Sequence, residues 1–382
     1  VNTFAEIVQA NQAWLCLDCG KCSSVCPITL NLVDGYSSPR LLVEEAVTSG
    51  EGRVLEDPLL WSCLTCQRCS EICPSGVQFS EFIQQARTLA HEQGQSGECT
   101  HSGMIQSWMR MMTDPALDQN RLGWIDDDLK TAPESEYIYF PGCLPYYDTV
   151  FGKMDIEGTQ IARAALKILN HLGIEPMVLE NERCCGHDPY WQGDMDTFRK
   201  LAELNLETIS HTGAKRLVTN CPECAYTLKY TYPEQVGDLG LEVLHITELL
   251  TEDENLTKLF PDNGSDLDPV TYQDPCRLGR FMGIYQQPRE IIQSLGYQLV
   301  EMDHHAQTST CCGTSCWTNC GQLNKKVQAG RLREARSTGA EKLITSCVKC
   351  QIHFRCAQGD PVSGDEIQID IQNLVTLIAE RI

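Results

Sequence analysis

The chain has 382 residues, enough for two or three domains with cores of their own, and 22 of them are cysteine. With 30 basic against 52 acidic residues the formal charge is -22, which argues against nucleic acid and anionic membrane surfaces as partners and for basic patches on other proteins. No run approaches roughly 18 apolar residues, and Val1 to Ala13 lacks the basic-then-apolar pattern of a secretory signal. No transmembrane segment is therefore expected, and the expected compartment is the cytoplasm.

The first feature along the chain is a cysteine run. Cys16, Cys19, Cys22 and Cys26-Pro27 recur with identical spacing as Cys63, Cys66, Cys69 and Cys73-Pro74. Around and between them, Pro39 to Val47 and Phe79 to His91 place apolar residues at helical spacing, which predicts a helical module. Residues 113–136 contain Pro115, Asp126-Asp127-Asp128 and Pro133 and read as an exposed connection.

A longer repeat follows. Tyr-Ile-Tyr-Phe-Pro-Gly-Cys143 answers to Val-Thr-Tyr-Gln-Asp-Pro-Cys276, Cys184-Cys185-Gly186 to Cys311-Cys312-Gly313, and Arg-Leu-Val-Thr-Asn-Cys221 to Lys-Leu-Ile-Thr-Ser-Cys347. Short β-rich runs (Tyr137 to Phe140, Leu217 to Thr219, Val270 to Tyr272, Leu343 to Thr345) alternate with helical stretches (Ile161 to Leu172, Leu323 to Arg336). Each copy is thus an expected α/β domain with its cysteines at the C-terminal edge of the strands. The acidic stretch 251–269, with Asn263-Gly264, reads as a second exposed loop. Ile371, Leu374, Val375 and Ile378 predict a terminal helix packed on the second copy. The sequons at Asn255 and Asn263 read as chance matches.

Cysteines at intervals of three, three and four, closed by proline, form the bacterial ferredoxin signature for thiolate ligation of a 4Fe-4S cube. In two-cluster proteins the fourth cysteine crosses over. Cluster one is then expected on Cys16, Cys19, Cys22 and Cys73, and cluster two on Cys63, Cys66, Cys69 and Cys26. Zinc is the alternative, but zinc sites make no use of the third interval and the Cys-Pro. The wide spacer from Pro27 to Ser62 resembles the helical ferredoxin modules of multi-subunit reductases, which implies a wire inside a hetero-oligomeric complex.

Each long repeat supplies five cysteines: Cys143, Cys184, Cys185, Cys221 and Cys224, then Cys276, Cys311, Cys312, Cys347 and Cys350. Adjacent thiols are poorly placed to share one cube or one disulfide and suit a larger, irregular cluster. Buried structural thiols or zinc are the plainer alternatives. Cys, a gap, Cys-Cys-Gly, a gap and Cys-x-x-Cys resembles the CCG cysteine-rich domain family, which includes the catalytic B and D subunits of heterodisulfide reductase. The order of parts is similar to the D subunit or to fused C and B subunits. The fold so implied is α+β and multidomain: a helical two-cluster ferredoxin module (1–112), a linker (113–136), a first CCG domain (137–250), an acidic linker (251–269) and a second CCG domain (270–382).

The resemblance further implies iron of two noncubane 4Fe-4S clusters on the two complete five-cysteine sets. It implies a disulfide held between them and split to two thiols by single electrons. The chain carries no dinucleotide fingerprint, so electrons are expected from a flavin-bearing partner like the heterodisulfide reductase A subunit, or from another donor. A non-catalytic electron relay in another oxidoreductase complex is the competing expectation.

Where methanogenic enzymes tend to small, glycine-rich residues, this chain has Thr314-Ser315-Cys316-Trp317-Thr318-Asn319-Cys320. Trp317 is expected to narrow the cavity beside the second site, and Cys316 and Cys320, at helical spacing, to pack in the core or act as extra thiols. His187 is a candidate catalytic proton donor to a leaving thiolate, with cluster hydrogen bonding or helix capping as its alternatives. His304 and His305 are candidates for the same role. Cys99 and Cys356 read as ordinary thiols.

Overall fold

A computed structural model describes residues 3–32, 37–252, 254–260, 267–362 and 364–382. The described part of the N-terminal module is helical, and local chemistry sets its helix starts. Thr3 and Glu6 form a capping box on Phe4–Ala10, Ser38 and Pro39 open Pro39–Thr48, and Asp57 and Pro58 open Pro58–Ser62. Phe79–Glu92 is the spine, burying Phe79, Phe82, Ile83, Ala86 and Ala90. No helix among the described residues is long and apolar enough to cross a membrane.

The first α/β unit holds a parallel sheet in the order β1-β2-β3, from Tyr137–Tyr139 (β1), Arg216–Thr219 (β2) and Glu242–His245 (β3). The second holds β5-β4-β6-β7, from Leu267–Gln273 (β4), Tyr297–Leu299 (β5), Lys342–Thr345 (β6) and Asp370–Asn373 (β7), again all parallel. In the first unit a single bridge from Ile138 to Met177 stands where β5 flanks β4, so the two copies share one topology. Leu217 and Val218 on β2, and Leu343 and Ile344 on β6, are fully buried, which is why these runs read as continuously apolar.

Two cores cross the sequence boundaries. One joins the helices of the first copy (Ile161, Leu166, Leu169) to Ile291, Ile292, Leu374 and Ile378 of the second. The other joins the ferredoxin module (Leu42, Leu60, Phe82) to Leu332, Leu343 and Phe354 of the second copy.

Two expectations need correction. Ile371 belongs to strand β7, and the terminal helix is the shorter Leu374–Ala379. It packs against Gly158–His171 of the first copy, where Lys167 Nζ donates to the carbonyls of Ala379 (2.8 Å) and Ile382 (2.7 Å). Within 113–136, Arg121 and Trp124 are buried, so this stretch is part of the first copy's packing and is more than an exposed connection. In the stretch 251–269, Asn255–Leu259 is a short helix, and Asn263-Gly264 lies outside the described residues.

Candidate functional site

The two ferredoxin-type runs adopt the same local conformation. Asp18 and Thr65 have positive φ (54° and 44°), as do Gly20 and Gln67 (75° and 65°), and each run then enters a short helix, Lys21–Val25 or Arg68–Glu71. These turns aim main-chain donors at sulfur: Asp18 N lies 3.4 Å from Cys16 Sγ and Thr65 N 3.4 Å from Cys63 Sγ. The thiols gather in two groups close enough for their charges to interact, Cys16, Cys22 and Cys73 in one and Cys26, Cys63, Cys66 and Cys69 in the other. Burial pushes the Cys63 thiol up to about 12. Cys19 is exposed.

In both α/β units the cysteines sit past the C-terminal ends of the strands. Cys143 follows β1, Cys221 follows β2, Cys276 follows β4 and Cys347 follows β6. The glycine of each Cys-Cys-Gly is left-handed, φ 83° at Gly186 and 91° at Gly313. A Cβ there would lie 2.8 Å from Phe198 or 2.7 Å from Gln328. Only glycine therefore turns both adjacent thiols inward.

All five cysteines of the first set line one hollow. Cys143 Sγ lies 3.6 Å from Cys184 Sγ, Cys185 Sγ lies 3.4 Å from Cys224 Sγ, and Gly186 N lies 3.5 Å from Cys184 Sγ. In the second set, Cys276, Cys312, Cys347 and Cys350 line a second hollow, while Cys311 lies close enough to Cys276, Cys312 and Cys66 for the thiols to perturb one another. All 22 cysteines are free thiols. Converging sulfurs, main-chain donors and an enclosed space fit an iron-sulfur group held by each set.

Comparing the copies position by position exposes residues that the cysteine pattern hid. Tyr139 and Tyr272 are equivalent, and each hydroxyl bonds the residue before the next cysteine, Asn220 (2.8 Å) or Ser346 (2.9 Å). Glu223 and Lys349 are also equivalent, and they pair with each other across the two domains at 2.8 Å. Lys349 also meets Asp188 at 2.5 Å. Burial pushes Glu223 up to about 8 in spite of that ammonium. Glu223 lines both hollows and is their common wall. Arg121, buried in the connecting stretch, pairs with Glu182 and donates to the carbonyl of Gly142, next to Cys143.

The arrangement around His187 runs against the proton-donor expectation. Arg277 Nε donates to His187 Nε2 at 3.3 Å, and His187 Nδ1 lies 3.0 Å from Thr227 Oγ1. Burial, with Arg277 and Lys349 close by, holds its pKa well below the ordinary value. His187 is therefore a neutral acceptor in this geometry. His304 is exposed on Glu334 and His305 bonds the Met302 carbonyl, so neither lines a hollow. The histidine that touches a cluster cysteine is His353, whose Nδ1 lies 3.3 Å from Cys312 Sγ. It is equivalent to Thr227, the partner of His187.

Trp317 lines neither hollow. It stacks on Phe151 of the first copy at 5.2 Å between ring centroids and backs Lys349 at 5.0 Å. Cys316 is fully buried, but Cys316, Trp317 and Asn319 all have positive φ, so the helical spacing of Cys316 and Cys320 belongs to a tight turn. Thr314 Oγ1 and Gln328 Nε2 donate to Cys320 Sγ at 3.6 and 3.8 Å. Cys356 Sγ lies 2.9 Å from Lys325 Nζ.

A helical module with two ferredoxin runs, docked on a duplicated parallel α/β unit whose Cys-Cys-Gly turns face two hollows, defines an iron-sulfur protein. Residues 12–77 match the 4Fe-4S dicluster domain, and residues 137–229 and 270–355 match the cysteine-rich domain CCG, so the chain belongs to the CCG iron-sulfur family. It is similar to the D subunit of the dihydromethanophenazine:CoB-CoM heterodisulfide reductase of Methanosarcina acetivorans, 32% identical over 70% of this chain and 64% of that one. It is also similar to the B subunit of the CoM/CoB fumarate reductase of Methanothermobacter marburgensis, 29% identical over 70% of this chain and 50% of that one. A probable membrane-anchored ferredoxin of Chromohalobacter salexigens is 28% identical over 90% of this chain and 45% of that one. The chain thus spans less than two thirds of the length of these relatives. Among solved structures, a putative Asp/Glu racemase of Yersinia pestis aligns with a TM-score of 0.28 at 11% identity over 64% of this chain and 94% of that one, too distant to bear on the fold.

Proposed function

We propose that this chain carries single electrons from a partner through two cubane 4Fe-4S clusters to two noncubane 4Fe-4S clusters, where a disulfide is reduced to two thiols. Cys16, Cys19, Cys22 and Cys73 hold the first cube and Cys63, Cys66, Cys69 and Cys26 the second. Cys143, Cys184, Cys185, Cys221 and Cys224, and Cys276, Cys311, Cys312, Cys347 and Cys350, hold the noncubane pair. One observation carries the reading: Cys66 of the ferredoxin module stands close enough to Cys311 of the second copy for the two thiols to perturb each other, so the two cysteine sets approach directly.

When bound, the clusters supply one-electron steps and iron sites that hold sulfur. The protein's part is to bind, orient and exclude water. Cys19 is exposed, as are its chain neighbours Trp14 and Leu17 at 58 and 70%, an open end suited to a flavin-bearing or other electron-donor partner in a hetero-oligomeric complex. The hollows, by contrast, are walled by buried side chains and share Glu223, so two sulfurs of one substrate would be received on either side of that residue. Splitting a disulfide into two thiols consumes two electrons and two protons.

A second reading, a relay without disulfide chemistry, draws on the same wall: Lys349 clasps Asp188 and Glu223 between the hollows, and Trp317 backs it. Anaerobic, viologen-linked reduction of a panel of disulfides, including the CoM-CoB heterodisulfide, separates the two. Turnover that disappears in Cys185→Ser and Cys312→Ser supports disulfide reduction. Clusters that reduce and reoxidise with no turnover support the relay.

A further inference from the structure

The duplicated copies differ in charge beside their first cysteine. Aligning Cys143 with Cys276 sets Leu144 against Arg277 and Tyr147 against Arg280. Arg277 and Arg280 are 3% and 8% exposed, and neither has a carboxylate partner. Arg277 donates to Thr65 O (2.6 Å), Thr65 Oγ1 (2.8 Å) and His187 Nε2 (3.3 Å), and its guanidinium lies over the rings of Trp191 and Phe281. Arg280 donates to the carbonyls of Cys66 (2.5 Å), Gln307 (3.2 Å) and Ser309 (2.7 Å), and its second terminal nitrogen is buried with no partner.

Two buried guanidinium charges without an anion are costly unless something negative stands close by. Arg277 lines the second hollow with Cys276 and Cys312, Arg280 is bonded to the main chain of Cys66, and both charges favour the Cys276 thiolate. The first copy has one such charge: Arg183, 3% exposed beside Cys184, meets the carbonyls of Asp114 and Leu117 and leaves two guanidinium nitrogens without a partner among the described residues, while Arg121 is neutralised by Glu182 and Lys349 is answered by Asp188 and Glu223. The ferredoxin module touches both copies, the first through Gln84 and Arg87, and its Cys66 stands close to Cys311 of the second.

We propose that Arg277 and Arg280 give the second CCG site the higher reduction potential of the duplicated pair and so make it the first resting place of an electron leaving the ferredoxin module. Net charge and hydrogen bonding set the potentials of such clusters, and buried positive charge stabilises the reduced, more negative state. In this step one electron leaves the group on Cys63, Cys66, Cys69 and Cys26 and one arrives at the second set; no bond forms or breaks and no proton moves. Arg277 and Arg280 are positioning residues, acting through the cysteines they face. The inference rests on the cluster-binding reading above, and not on disulfide turnover.

The test is a dithionite titration of the anaerobically iron-loaded full chain followed by electron paramagnetic resonance, with Cys185→Ser and Cys312→Ser assigning the two noncubane signals. The second site should reduce first. Arg280→Gln should move the electron partition at least tenfold toward the first site, a shift of about 59 mV for a one-electron couple, while Arg280→Lys keeps it within about twofold of the parent because the charge remains. Arg277→Gln should shift it in the same direction and serves if Arg280→Gln does not load. Equal potentials in the parent chain, or equal losses in the Gln and Lys variants, would overturn the inference with cluster binding intact. Iron at the level of the ferredoxin module alone would instead overturn the cluster reading, and the inference with it.

Discussion

Replacing Lys349 by Met removes the one ammonium that answers both Asp188 (2.5 Å) and Glu223 (2.8 Å) at the boundary between the two CCG domains. All three side chains are largely buried, with 4, 6 and 17% of their surface exposed, so the abandoned carboxylates cannot recover their hydration. Breaking a buried pair from one side costs about 3 to 5 kcal/mol. For a unit the size of the two joined domains that is a fall of roughly 6 to 20 °C in melting midpoint. The triple change Lys349→Met, Asp188→Asn, Glu223→Gln removes the charges together and should recover most of the loss, to within about 1 kcal/mol. Melting is followed on the iron-loaded chain under anaerobic conditions, by circular dichroism for the fold and by visible absorbance for the clusters. A single variant that melts within about 2 °C of the parent, or a triple variant as unstable as the single, would refute the argument that this pair locks the domains.

Three other outcomes follow from the same structure. Arg87 donates to the carbonyls of Leu60, Trp61, Cys63 and Trp191, joining the ferredoxin module to the first copy, and Lys cannot reproduce its planar fork; Arg87→Lys should lose about 2 to 4 kcal/mol in urea unfolding of the loaded chain. Gly313→Ala forces a Cβ onto Gln328 at φ 91°, so iron bound at the second site should fall while the ferredoxin signals persist, at a stability cost of about 2 kcal/mol or more. Burial lowers His245 from 6.5 to about 3, so the unfolded chain binds the extra proton first. The stability tied to His245 is complete above pH 6.5 and falls as the pH drops toward 3, by up to about 5 kcal/mol over the full window. Measured between about pH 7.5 and 5, His245→Asn should show a flatter slope than the parent, and parallel slopes would count against the assignment.

The sequence by itself determined the spacing of the cysteines and the architecture of each part. Thiolate ligation in these motifs is local: three cysteines converge because short turns bring them together, so spacing alone announces the site, as the matching conformations at Asp18 and Thr65 illustrate. Strands β2 and β6 were legible because a parallel strand covered on both faces must be apolar throughout, and the helix found at Phe79–Glu92 because a single apolar face repeats along it.

Tertiary structure alone decided what lies around those cysteines. Lys349, Glu223, Arg277 and Arg280 are ordinary charged residues in the linear sequence, and their weight comes from burial and from partners more than a hundred residues away. His187 could be read as an acid until Arg277 was found donating to it. The terminal helix crosses to the first copy because its apolar face is satisfied by whichever surface the fold presents, and amphipathic pattern carries no address. The duplicated sites are nearly indistinguishable as ligand lists; what tells them apart is that, among the described residues, packing leaves two guanidinium charges, Arg277 and Arg280, without a carboxylate beside the second and one, Arg183, beside the first.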